Sequence, residues 1–187
     1  LGCAQQHGSV HVMTAGMHYT FIDRLEFAVY FFGYRKSIDV CTDADRFVTL
    51  GCCLLDRKNN LLEFGRAGHT DLVSFIHNHI RIISPDGTAL GILPDELVSF
   101  DTICISVDPE STFMMYSDGM TEATDTNGNE FGQKRLSEVF CKACEESDES
   151  DAVIDRIMQN ISEYETIQSD DRTVVLIRRG GRYITRS

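Results

Sequence analysis

The sequence predicts an α+β fold with stacked antiparallel sheets and flanking helices. Three observations carry that expectation. Short runs rich in β-branched and aromatic residues recur from Arg46 to Tyr116, two segments of helical period follow only afterwards, and one more apolar strand comes near the end at 173–177. Taken in order, residues 10–34, including the aromatic and nearly uncharged run from Leu25 to Tyr34, read as mainly helical. From Arg46 the pattern turns to β: Phe47-Val48-Thr49-Leu50 runs on to Leu55, the polar Asp56-Arg57-Lys58-Asn59-Asn60 makes a turn, and Leu61-Leu62-Glu63-Phe64 returns as the second arm of a hairpin. Strands are expected at 71–76 and 79–83, then, past a Gly- and Pro-punctuated stretch from Ser84 to Pro94, at 102–107 and 112–116. Leu136, Val139, Phe140 and Ala143 share one helix face, and Val153, Ile157 and Ile161 share another, with an acidic loop from Asp148 to Asp151 between them. The chain shows no internal repeat and no low-complexity linker, so a single domain over residues 1–187 is expected.

Two acidic strand edges point to chemistry. Tyr116-Ser117-Asp118-Gly119 follows the apolar run Phe113-Met114-Met115, and 52 positions after Asp118 the run Ser169-Asp170-Asp171-Arg172-Thr173 leads straight into Val174-Val175-Leu176-Ile177. Carboxylates at the ends of two core strands suit a hard cation such as Mg²⁺ or Mn²⁺, because oxygen ligands match its preference and rigid strands fix their geometry. The competing reading is that both are ordinary turns, since Asp and Gly end strands in many folds.

Composition narrows the classes. A chain of 187 residues with 42% hydrophobic and 25% charged residues can bury a core, which excludes a disordered tail. The net charge of −12 works against binding a phosphate backbone, so nucleic acid is set aside as a partner. Seven cysteines, an odd number scattered along the chain, fit a reducing cytoplasm better than a secreted disulfide framework. No stretch reaches the roughly 18 apolar residues of a membrane span, and the start carries no signal sequence. His7, His11 and His18 would share a helix face but lack a Cys or carboxylate partner at a matching offset for zinc. Cys52-Cys53 is not followed by the Cys-x5-Arg loop of a cysteine phosphatase, and Cys141-x-x-Cys144 has no second pair.

Six motifs in unbroken order carry a resemblance over residues 46–179. They are Arg46-Phe47-Val48-Thr49-Leu50, Ala67-Gly68-His69, Leu90-Gly91-Ile92-Leu93-Pro94, Tyr116-Ser117-Asp118-Gly119-Met120-Thr121-Glu122-Ala123, Glu130-Phe131-Gly132 and Asp170-Asp171-Arg172-Thr173. Together they resemble the SpoIIE/RsbU-type serine phosphatases of the metal-dependent protein phosphatase (PPM) superfamily. The resemblance implies a PPM-type β-sandwich flanked by helices, with a two-metal Mn²⁺ or Mg²⁺ centre at one end of the sheets. The implied reaction is hydrolysis of phosphoserine or phosphothreonine on a small phosphorylated regulatory protein of bacterial signalling, of the anti-sigma-factor-antagonist type, with a sensor domain upstream. Carried over by motif, Asp118 and Asp170 become metal ligands and the catalytic carboxylates, with Asp171 beside them or trading places with Asp170. Gly119, His69 and Thr173 fall near the site. Two divalent ions about 3.5–4 Å apart lower the pKa of bound water and offset phosphoryl charge, so no protein nucleophile is required.

The N-terminal part departs from the family pattern. The Gly-Asp and Asp-x-x-Gly-His-Gly motifs that complete the family's metal site are not intact, and the nearest remnant, Gln6-His7-Gly8, would put Cys3 where an aspartate belongs. Residues 1–45 are therefore either truncated or diverged. Truncation keeps the active enzyme, whereas loss leaves a catalytically impaired pseudophosphatase serving as a binding or regulatory module. With two of the carboxylates alone, the chain is expected to bind Mn²⁺ weakly. A reading from another class makes the acidic loop Glu145-Glu146-Ser147-Asp148-Glu149 a grip for a basic partner.

Overall fold

The computed structural model describes residues 9–13, 18–22, 25–36, 46–93, 97, 99–166 and 170–178, with side chains from residue 47 onward. Its elements run β1 (Ser9–Met13), β2 (His18–Ile22), β3 (Leu25–Lys36), β4 (Arg46–Asp56), β5 (Leu61–Ala67), β6 (Leu72–Ile76), β7 (His79–Ile83), β8 (Thr102–Ser106), β9 (Thr112–Tyr116), a 3-10 turn (Asp118–Met120), α1 (Gly132–Glu146), α2 (Ser150–Tyr164) and β10 (Val174–Arg178). The strands make two five-stranded sheets, β1-β10-β9-β6-β7 and β2-β3-β4-β5-β8, and the chain divides into two compact units along the same lines.

The first unit contains Val73–Arg81 and Asp108 onward, with both helices. Every residue of β9 is buried, as are the first four of β10. Burial on both faces is why these strands read as unbroken apolar runs rather than as alternating ones. Val73, Phe75, Met114, Tyr116, Val174 and Leu176 form one cluster with Leu136, Phe140 and Ala143 of α1 and Val153, Ile154, Ile157 and Ile161 of α2. The expected helical spacings thus mark the faces that bury. Arg178 ends β10 by donating from Nη1 to the carbonyls of Ser147 and Asp148, satisfying acceptors just past the end of α1. Ile157→Val should cost about 0.5–1.5 kcal/mol, the usual range for deleting one buried methylene, as read by urea unfolding.

The second unit is built on the β4–β5 hairpin, where Leu55 pairs with Leu62 and Asp56 with Leu61. Asp56 organises the turn by accepting from the backbone N–H groups of Lys58 and Asn59, while Asn60 takes the left-handed conformation that reverses the chain. Cys53 is buried and its thiol pKa is pushed well above the ordinary value by that burial, as expected of a small apolar strand residue.

The helix expected over 10–34 is not formed: these residues give β1, β2 and most of β3. The aromatic and β-branched composition of Leu25–Lys36 favours a pleated surface, and pairing along β4 from Phe27↔Leu55 to Lys36↔Arg46 supplies the backbone partners. Accordingly His11 and His18 sit on separate strands, opposite Leu176 and Tyr30, rather than on one helix face. His7, the Gln6-His7-Gly8 remnant and Cys3 lie outside the described residues.

Candidate functional site

Strands β9 and β10 pair antiparallel with Tyr116 opposite Val174. Antiparallel pairing puts the end of one strand beside the start of the other, so the residues just after Tyr116 and just before Val174 emerge together. Asp118, Gly119, Asp170, Asp171 and Thr173 are therefore brought to one sheet end within the first unit. The proximity is close: a Cβ placed on Gly119 would lie 2.5 Å from the Asp171 carbonyl oxygen and 3.3 Å from the Asp170 Cβ.

Both loops are stiffened by local bonds. The Asp118 carbonyl accepts from the N–H groups of Thr121 and Glu122 and from the Thr121 hydroxyl, which holds the 3-10 turn. Asp118 Oδ1 accepts from Gly119 N at 3.1 Å, and Asp170 Oδ1 accepts from Asp171 N at 2.7 Å, so each side chain is oriented by the next backbone amide. Asp118 is half-buried, whereas Asp170 and Asp171 are exposed.

Arg172 does not neutralise these acids by default. Its side chain is nearly buried, makes an ion pair with Glu165 at the end of α2 and reaches Ser162 Oγ from Nη1 at 3.4 Å, while burial lowers its pKa. The acidic segment is thus anchored on the helix layer of its own unit.

His69 belongs to the second unit. It is buried, with Nδ1 3.3 Å from Thr49 Oγ1, and its backbone carbonyl accepts from Arg66 Nη1 at 2.7 Å. Arg66 further bonds to the Pro85 carbonyl, to Ser84 Oγ and to Asp71, which fixes the loop. Gly68 is required there: it holds φ +63° and a Cβ would meet Ala89 at 2.5 Å.

The cysteine pairs offer little reactivity. Burial pushes the Cys144 thiol up to about 12, and burial with the nearby Glu145 raises Cys141, so thiolate chemistry is suppressed at Cys141-x-x-Cys144. The donor type at the sheet end fits a hard cation, being carboxylate oxygen on backbone-tied side chains. In number it is one part of such a site, since among the described residues no three Asp, Glu, His or Cys side chains gather closely enough to hold an ion.

Sequence reasoning passed over Ser117. Its hydroxyl accepts from Thr173 N at 2.9 Å and donates to the Asp171 carbonyl at 3.1 Å. The available signal was a small hydroxyl residue at the strand end directly before an Asp-Gly, a place where side chains commonly bond to neighbouring backbone.

The sequence profile described as Stage II sporulation protein E (SpoIIE) matches residues 34–180. Protein IcfG of Synechocystis sp. is 29% identical over 142 residues, covering 73% of this chain and 21% of that protein, so the chain spans about a fifth of this curated relative. Among solved structures, the SiaA-PP2C domain of Pseudomonas aeruginosa is similar with a TM-score of 0.73 at 14% identity, covering 92% of this chain and 86% of that one. The PP2C phosphatase domain of the cell fate determinant SpoIIE from Bacillus subtilis, solved with a fragment of its regulatory domain, has a TM-score of 0.67 at 13% identity, covering 91% of this chain and 62% of that one. At such identities the likeness is one of fold, and that fold is the α+β class with antiparallel sheets and helices expected from the sequence.

Proposed function

The chain belongs to the SpoIIE family of PPM-type protein serine/threonine phosphatases, and from that membership we propose that it hydrolyses phosphoserine or phosphothreonine on a regulatory partner protein with divalent cations held by Asp118 and Asp170. Asp171 stands beside them, and Gly119 and Thr173 shape the same sheet end. The observation that carries this reading is the pairing of Tyr116 with Val174, which brings the segments of Asp118 and Asp170, 52 positions apart in the sequence, to one sheet end. A bound Mn²⁺ or Mg²⁺ pair supplies an acidified water and offsets phosphoryl charge in the transition state.

The residues themselves do the rest. Asp118 and Asp170 contribute negative charge from short side chains whose Oδ1 atoms are each tied to the following amide, so little reorganisation is needed when a cation arrives. Gly119 permits the two loops to approach, since any side chain there would meet the backbone of Asp171. His69 lies in the second unit, where its bond to Thr49 gives it a structural role.

The proposed partner is a small phosphorylated regulatory protein of bacterial signalling, with a sensor domain upstream and a cytoplasmic location. Among the described residues no helix is long and apolar enough to cross a membrane. The test is phosphate release from a phosphoseryl protein by the full-length protein, with Mn²⁺ or Mg²⁺ added and then chelated. Release that depends on the cation is expected. Binding of the phosphoprotein without release would favour the catalytically impaired binding module instead.

A further inference from the structure

We propose that Ser117 is a positioning residue whose hydroxyl sets the cation affinity of the site, by fastening the segment of Asp170 and Asp171 to the strand end that carries Asp118. The inference rests on the reading of this sheet end as a divalent-cation centre.

The paired ladder of β9 and β10 stops at Tyr116↔Val174. Beyond it, Ser117 N donates to the Thr173 carbonyl at 2.9 Å, which adds one backbone bond. The Ser117 hydroxyl then uses both its capacities across the gap: its oxygen accepts from Thr173 N at 2.9 Å and its proton goes to the Asp171 carbonyl at 3.1 Å. It makes no capping bond to the 3-10 turn that it precedes. A hydroxyl in that position ordinarily caps its own turn, so its engagement with the facing segment marks a different task.

That task follows from charge. Asp118 lies on one of the two segments brought to this sheet end and Asp170 and Asp171 on the other, and like charges oppose a closer approach of their carboxylates when no cation is bound. Gly119 sets how near they come, with the Asp171 carbonyl already 2.5 Å from where its Cβ would be. Ser117 supplies the opposing hold, two bonds in series that reach past the ladder to Asp171. Without it the carboxylates drift from the geometry a cation needs, and ion binding must first pull them back. Outer partners that orient metal ligands typically change affinity about 10–100-fold when removed.

The experiment uses full-length protein with Ser117→Ala, Ser117→Thr and a control, Ser74→Ala. Ser74 is fully buried and donates to the Arg81 carbonyl at 3.2 Å on the same sheet, so its loss has a like structural cost away from the acids. Mn²⁺ affinity is read by calorimetry, stability by urea unfolding, and the Thr173 amide by hydrogen exchange without metal. Ser117→Ala should weaken Mn²⁺ binding at least about tenfold and speed exchange at Thr173, Ser117→Thr should restore both, and Ser74→Ala should lower stability with wild-type Mn²⁺ affinity. Should Ser117→Ala not fold, Ser117→Cys keeps the bulk with a weaker bond and should bind Mn²⁺ less tightly than wild type. Wild-type affinity in Ser117→Ala or Ser117→Cys, or an equal loss in Ser74→Ala, overturns the positioning role. A wild-type protein that binds no Mn²⁺ overturns the cation centre itself, and this inference with it.

Discussion

Asp118→Asn is expected to lower cation-dependent phosphate release by the full-length protein roughly 10²–10³-fold, the scale on which one preorganised electrostatic group contributes to a rate. The substitution removes a charged ligand while keeping the side-chain volume. The bonds that hold the turn go to the Asp118 backbone carbonyl, not to its carboxylate, and an asparagine Oδ1 can still accept from Gly119 N. Unfolding free energy should therefore stay within about 0.5 kcal/mol of wild type, or rise as the repulsion with Asp170 and Asp171 is relieved. Paired assays of phosphate release and urea unfolding check both halves. A variant that unfolds would make Asp118 structural, and one that keeps its rate would move the chemistry elsewhere.

Gly119→Ala should be nearly as damaging to activity, for a geometric reason. The new methyl would stand 2.5 Å from the Asp171 carbonyl oxygen, a backbone atom with no rotamer to escape into, and 3.3 Å from the Asp170 Cβ. The acidic segment has to move, at a stability cost of about 1–3 kcal/mol typical of overpacking. Its displacement separates the carboxylates, so Mn²⁺ affinity should fall by at least about tenfold, as calorimetry would record. Unchanged affinity together with wild-type stability would show that the close approach plays no part in holding the cation.

Element type was readable wherever the local pattern and the tertiary environment agree. The α1 and α2 spacings named Leu136, Phe140, Val153 and Ile157, all now in one buried cluster. The hairpin at Asp56 to Asn60 was readable because its turn residues bond locally. The segment 10–34 was not, since an aromatic run without charges carries no clear period and its strand state is set by partners far along the chain, β4 for β3 and β10 for β1. Ser117 and Arg172 were missed for the same reason: their roles lie in what faces them, the backbone of Asp171 and Thr173 in one case and Glu165 in the other.

By itself the sequence determined the α+β class, the family and the two acidic strand edges, because hydrophobic period, turn chemistry and short motifs are local properties that survive without knowledge of the fold. Only the tertiary structure decided that Asp118 and Asp170 share one sheet end, that the Ser117 hydroxyl bridges Thr173 and Asp171 while Gly119 lies against the Asp171 backbone, and that His69 is held by Thr49 and Arg66 in the second unit. Strand pairing between distant segments selects its register from the whole set of partners that a core can bury, and no window of sequence contains that set.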